Sequence, residues 1–311
     1  MKRKVSIFNF TNVYNKESFY RDDKSSISCD AEKELHGENS NTCGAEKKLH
    51  GEISNSFWGG NGASVDIINC ADIPGTNCMC DDGAMSEIRQ RISEHGIGAD
   101  EIHFIDNGNY HYMSAITLEM VKEPFSLVVF DHHPDMQPPM FGDILSCGGW
   151  VLYALENNPN IKDVHIIGAD RKLIDELPDD VRERAHFYDI SDVFEKRVDG
   201  ESASCNDYDD IDDLKKCVIL PETQFPFYIS VDKDVVTPDE ITTNWDQGEM
   251  RVSELLATID RFFDERKVIG VDICGECAPE QEGINVDEAI AGNDAFNGEI
   301  LERILSHIDK E

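Results

Sequence analysis

Three short runs place carboxylates and imidazoles at spacings that suit metal chemistry. They are Asp131-His-His-Pro-Asp135, Ser230-Val-Asp232-Lys-Asp234, and Asn107-Gly-Asn-Tyr-His111. In extended backbone, residues two apart project to the same side, so Asp131 with His133, and Asp232 with Asp234, can each offer two ligand heads to one point. Mixed carboxylate and imidazole donors suit manganese, iron or zinc, and the surplus of carboxylates favours the harder ions. The six residues His111, Asp131, His133, Asp135, Asp232 and Asp234 suffice for two metals. A pair held about 3.5–4 Å apart can share one water and lower its pKa, making hydroxide at neutral pH. One such run alone would read as a helix cap or a turn. Three of them, each just beyond an apolar run, point to a shared site.

The elements that must position these residues are legible from apolar patterning. Short β-rich runs predict strands at Ile102–Asp106, Ser126–Phe130, Val164–Gly168, Phe225–Val231 and Val268–Ile273, with a first strand near Val5–Phe10. Amphipathic stretches between them predict helices at Met85–His95, Tyr112–Val121, Gly149–Glu156, Arg251–Glu265 and Ala295–Ile308. Alternation of this kind is the signature of an α/β fold with a mostly parallel sheet. In such a sheet the loops leaving the carboxyl ends of neighbouring strands converge on one crevice, so the acids and histidines should meet there.

The 311 residues are read as one domain, and 40% of them are apolar. No stretch approaches the roughly 18 uninterrupted apolar residues of a membrane helix, so no membrane span is expected. The basic start, Met1-Lys-Arg-Lys, turns polar too early for a secretory signal. The formal net charge of −35 opposes nucleic-acid or anionic-membrane partners and favours metal ions and cationic substrates. Ten cysteines without a secretory signal imply a reducing, cytoplasmic setting with free thiols. Cys78 and Cys80 stand together before the Met85 helix and read as buried small hydrophobes.

Residues 29–56 form a tandem repeat, CDAEKELHGENSNT then CGAEKKLHGEISNS, identical at ten of fourteen positions. Its polar composition marks it as an exposed insertion. The even spacing of Cys29, His36, Cys43 and His50 follows from the duplication alone and needs no metal. A second acidic stretch, Asp199–Asp213, reads as a solvated loop or short helix.

The motifs, in this order, resemble those of the ureohydrolases, the family of arginase, agmatinase and formimidoylglutamase. Gly108-Asn-Tyr-His111 is similar to the family's first histidine motif, Asp131-His-His-Pro-Asp135 to its Asp-Ala-His-x-Asp motif, and Ser230-Val-Asp-Lys-Asp234 to its Ser-x-Asp-x-Asp motif. The resemblance covers roughly residues 100 to 280. It implies a three-layer α/β/α arginase-like fold and two manganese ions, with zinc, iron or cobalt as alternatives. It further implies that His111, Asp131, Asp135 and Asp234 hold one or the bridging positions, and that His133 and Asp232 complete the other. The implied reaction is hydrolysis of a C–N bond in a small cationic guanidino or amidino compound by a metal-bridging hydroxide oriented by Asp135. Glu276 resembles the glutamate that grips the substrate's cationic group, although one more residue separates it from Asp272 than in arginase. Homo-oligomers are common among proteins with this resemblance, although nothing in the sequence specifies an interface.

Departures from the family pattern bear on the substrate. Phe141–Trp150 lacks the histidine that shuttles protons in arginase-like sequences. Gln137 stands where arginase places an amide that holds the amino-acid end. Asn244-Trp-Asp-Gln-Gly248 replaces a Thr-rich loop, and Trp245 and Asp246 are candidates for a different pocket wall, Asp246 as a substrate-binding residue. Two alternatives stand beside the hydrolase: a single-zinc deacylase of the histone-deacetylase kind, for which His111, Asp135 and Asp232 would be superfluous, and a non-catalytic arginase-fold protein that only binds metal.

Overall fold

The computed structural model describes residues 1–21, 57–58, 62–139, 142–194 and 211–310. Its strands, in chain order, are β1 (Lys4–Asn9), β2 (Phe57–Trp58), β3 (Ser64–Asn69), β4 (Met79–Cys80), β5 (Ile102–Ile105), β6 (Phe125–Phe130), β7 (Leu145–Ser146), β8 (Ile161–Ile167), β9 (His186–Tyr188), β10 (Phe227–Asp232) and β11 (Val268–Cys274). The α-helices are α1 (Asp82–Glu94), α2 (Met113–Leu118), α3 (Trp150–Asn157), α4 (Arg171–Asp175), α5 (Asp179–Arg182), α6 (Ile211–Cys217), α7 (Val252–Glu265) and α8 (Val286–Ile308).

Nine strands form one sheet in the order β2-β3-β1-β5-β11-β10-β6-β8-β9. All pairings are parallel except the edge pair β2 and β3. Strands β4 and β7 pair antiparallel in a separate ribbon. The central strands are buried along their whole length because helices cover both faces, as a parallel sheet requires. In β6 the alternation is direct: Val128 and Phe130 pack with α7 and α8, while Leu127 and Val129 pack on the other face with α1, α2 and α3. Each of these side chains stabilises the layer by roughly 1.5–3 kcal/mol on burial.

The α/β fold with a mostly parallel central sheet predicted from the sequence is the fold observed, with adjusted boundaries. Helix α8 begins at Val286, nine residues before the expected start. Its early turns bury Asn293, which with Asn297 interrupts the apolar period from which the helix was read. Strands β3 and β9, which the patterning did not single out, lie towards the two sheet edges. Helix α2 is only six residues long. The repeat at 29–56 and most of the acidic stretch 199–213 fall outside the described residues, and α6 begins at Ile211. No described helix is long and apolar enough to cross a membrane.

Candidate metal centre

The central strands β5, β10 and β6, with β11 lying between β5 and β10, deliver the six candidate ligands from their carboxyl ends. Beyond β5 the chain makes a 3-10 turn, Gly108–Tyr110, capped by the Asn107 side chain, and presents His111. Glycine at 108 lets Trp245 approach closely, since a Cβ there would meet Trp245 Cδ1 at 2.6 Å and push the indole away. Beyond β6 comes Asp131, whose Oδ1 accepts from the His133 backbone N–H at 2.6 Å. Asp135 sits at φ 47°, left-handed backbone that Asp tolerates better than most residues. At the end of β10, Asp232 caps a 3-10 turn (Lys233–Val235), its Oδ1 accepting from the Asp234 backbone N–H at 3.1 Å. Gly275, at φ 101° after β11, leaves room for that turn, because a Cβ would collide with Asp232 Oδ1.

Five of the six residues meet as two overlapping triads, and Asp232 stands beside them. His111, Asp131 and Asp135 form one, and Asp131, His133 and Asp234 form the other, with Asp131 common to both. His111 Nδ1 lies 3.1 Å from Asp131 Oδ2, 3.2 Å from Asp135 Oδ2 and 3.3 Å from Asp232 Oδ2. His133 Nδ1 lies 2.9 Å from Asp234 Oδ2 and 3.4 Å from Asp131 Oδ1. His111 and all four aspartates are buried.

Groups behind the ligands fix their aim. His111 Nε2 bonds Ser230 Oγ at 2.9 Å, which leaves Nδ1 facing the carboxylates. His133 Nε2 bonds Asp246 Oδ1 at 3.2 Å. The Trp150 indole N–H donates to Asp135 Oδ2 at 2.7 Å. Partners of this kind fix ring orientation and raise ligand basicity at metal sites.

Electrostatics show the same crowding of negative charge. Burial and the neighbouring Asp234 carboxylate lift Asp232 to about 8. Burial and Asp131 lift Asp234 to about 6. Burial works against a charged ring at His111, yet Asp131 and Asp135 outweigh it and hold its pKa well above the ordinary value. His133 is raised in the same way, with Asp131 and Asp234 overcoming burial. The donor set fits divalent cations: His111 Nδ1 and Asp131 Oδ2 are buried without a hydrogen-bond partner, both aimed into the cluster.

A cavity of about 240 Å³ opens over the two triads, lined among others by Asp131, His133, Asp135, Gln137, Asp232, Asp234 and Trp245. Gln137 is therefore brought to the site. Asp246 stands at the rim, its side chain 71% exposed, and bonds His133. Glu276 does not line the cavity. It is fully buried, and its Oε1 accepts from Lys233 Nζ at 2.6 Å and from Asn297 Nδ2 at 2.8 Å. Ser230, Trp150 and Lys233 are the contributors that sequence reasoning did not assign. Strand alternation puts residue 233 on the side opposite 232 and 234, which was the available signal for Lys233. Nothing in the sequence marks the Trp150 contact.

Comparison with known proteins agrees with this geometry. The model of the arginase family matches residues 47–295. An uncharacterized protein of Thermotoga maritima is 30% identical over 178 residues, 57% of this chain and 59% of that protein, so the match spans about three fifths of the relative's length. Among solved structures, the agmatine ureohydrolase of Thermoplasma volcanium superposes with a TM-score of 0.52 at 16% identity, covering 97% of this chain and 90% of that one. Proclavaminate amidino hydrolase from Streptomyces clavuligerus gives 0.51 at 18% identity, covering 76% of each chain. An arginase-like protein of T. brucei gives 0.52 at 15% identity, covering 97% of this chain and 86% of that one. At such identities the structural likenesses speak for the fold, and with a sequence match across most of the chain the conclusion is that this protein belongs to the arginase family.

Proposed function

We propose that the chain is a binuclear metal-dependent hydrolase that cleaves a C–N bond in a small guanidino or amidino compound. The observation that carries this reading is the pair of triads sharing Asp131 at the floor of a cavity. Two divalent ions held there, manganese by the predominance of carboxylates, would supply Lewis acidity and an activated water at neutral pH. His111, Asp131, Asp135 and Asp232 would hold one ion, and Asp131, His133 and Asp234 the other. The chain's own residues do the rest. Ser230 and Asp246 keep the two imidazoles aimed, and the Trp150 indole holds one oxygen of Asp135, leaving the other to accept a proton. Gln137 offers an uncharged hydrogen-bonding group on the cavity wall for the end of the substrate that does not react. Trp245 closes the opposite side.

The single-zinc alternative uses only Asp131, His133 and Asp234 and leaves the His111 triad without a purpose. The non-catalytic alternative has one observation in its favour: the Glu276 carboxylate, the expected grip for a cationic substrate, is already bonded to Lys233. A product survey decides. Manganese-loaded protein is offered guanidino and formimidoyl compounds, and mass spectrometry looks for urea, formamide, ammonia or the freed amine. Turnover of one of them supports the hydrolase; full metal content with no turnover across the panel favours the binding protein.

A further inference from the structure

Cys78 and Cys147 face each other on the cavity wall. Strands β4 and β7 pair Met79 with Ser146 and Cys80 with Leu145, so Cys78 and Cys147 stand opposite each other just beyond the end of the ladder. The Cys147 backbone N–H donates to the Cys78 carbonyl at 2.9 Å, which holds the two residues opposite each other. Opposite residues of an antiparallel ladder stand about 4.5–5.5 Å apart at Cα, inside the range that a disulfide spans. Both cysteines are free and half-buried, whereas Cys80, two residues on, is buried. Cys78 also holds a left-handed backbone (φ 60°), unusual for a side-chain-bearing residue and characteristic of functional sites.

We infer that Cys78 and Cys147 form a reversible dithiol–disulfide pair that sets the mobility of the cavity wall. The oxidant is a hydroperoxide. The thiolate of one cysteine attacks the peroxide oxygen, an S–O bond forms as the O–O bond breaks, and the alcohol, or water from hydrogen peroxide, leaves. The second sulfur then displaces the hydroxyl as water and closes the S–S bond. In sum, two thiols and one hydroperoxide give one disulfide, one alcohol and one water, with two electrons passing from sulfur to oxygen. Burial pushes both thiols above their ordinary range, so little thiolate is present and the pair oxidises slowly. The consequence lies in connectivity. Cys147 opens the turn Cys147–Gly149 that leads into Trp150, the residue whose indole holds Asp135. A bridge to Cys78 ties that turn to the strand before α1. Its formation does not depend on which compound the cavity takes.

The test uses the full chain treated with hydrogen peroxide, alkylated, digested without reductant and analysed by mass spectrometry. The expected product is a Cys78 peptide joined to a Cys147 peptide, lighter by two hydrogen atoms than the separate thiols. It should vanish on reduction and be absent from Cys78→Ser and Cys147→Ser, but persist in Cys217→Ser. Full alkylation of both cysteines after other thiols have oxidised, or predominant bridging of either one elsewhere, would overturn the assignment. Hydrogen exchange supplies the second readout: amides of Cys147–Trp150 should slow severalfold on oxidation in the wild type and not in Cys78→Ser. Equal rates in oxidised and reduced wild type would overturn the role in wall mobility.

Discussion

The turn Lys233–Val235 separates two acid-rich regions built on the same strand ends. On the cavity side, Asp131, Asp135, Asp232 and Asp234 crowd around two histidines, and the carboxylates raise one another's pKa or that of the imidazoles. On the interior side, Glu276 and Glu17 lie among Lys233, Asn293 and Asn297, and each of these side chains has at least one internal partner, although Glu17 Oε1 and Glu276 Oε2 make no hydrogen bond. The first region sets four carboxylates against two imidazoles, more negative charge than its own side chains offset. The second carries its cation within the chain. Burying a charge is tolerable only when it is paired, so the unbalanced region is the one built for an ion from outside, and the balanced one is a structural anchor. Lys233 belongs to both: its backbone is part of the turn presenting Asp232 and Asp234, and its ammonium pins that turn to α8.

Breaking the shared carboxylate should have the largest effect. Asp131→Asn removes a donor common to both triads, so manganese affinity in calorimetric titration should fall on the order of 100-fold or more, while the far-ultraviolet circular dichroism keeps its wild-type shape. Asp135→Asn, which touches one triad, should weaken fewer sites. Equal losses from the two variants would erase the distinction between shared and unshared ligands.

On the interior side, Lys233→Met leaves Glu276 buried without its cation and should cost about 3 kcal/mol or more in denaturant unfolding. The double variant Lys233→Met with Glu276→Gln should recover much of that loss. Failure to recover would mean that Lys233 acts through packing instead of charge.

A smaller effect is expected at the rim. Asp246→Asn keeps the size of the side chain but removes the charge that orients His133, and should weaken manganese binding by about 10-fold. If substrate affinity changed while metal affinity did not, Asp246 would be a substrate contact, as the sequence suggested.

A further effect is a pH slope. Burial, and then the nearby Glu276 carboxylate, raise Glu17 to about 10 in the folded chain. Because this value lies above the unfolded one of about 4.3, the folded state holds the extra proton. The stability is complete below about pH 4 and is lost as pH rises towards 10. Glu17→Gln should flatten this dependence, with wild-type stability falling relative to the variant by at most about 1.4 kcal/mol per pH unit. Parallel curves for the two proteins would place Glu17 outside the network.

The sequence exposed the cavity side more fully than the interior side, for a physical reason. Metal ligands must lie close together on strand ends, so Asp131 and His133, or Asp232 and Asp234, carry their geometry in a two-residue spacing. The partners that orient them come from remote segments: Trp150 is 15 residues from Asp135, and Ser230 is 119 from His111. The anchor beneath them joins Glu17, Lys233, Glu276 and Asn297, separated by as many as 280 positions, and no local pattern encodes that meeting. The same inward-facing asparagines obscured the start of α8. The strands themselves were plain, because a buried parallel sheet needs continuous Val, Ile and Phe.

The central claim is that the unbalanced cluster is a site for two ions. It is tested most directly by elemental analysis of the full-length protein, reconstituted with manganese and dialysed against metal-free buffer. Two ions per chain are expected, both lost in Asp131→Asn. A stoichiometry of one, with the His111 triad dispensable to it, would contradict the claim and favour the single-ion alternative; none at all would mean that the cluster balances its charge with protons alone.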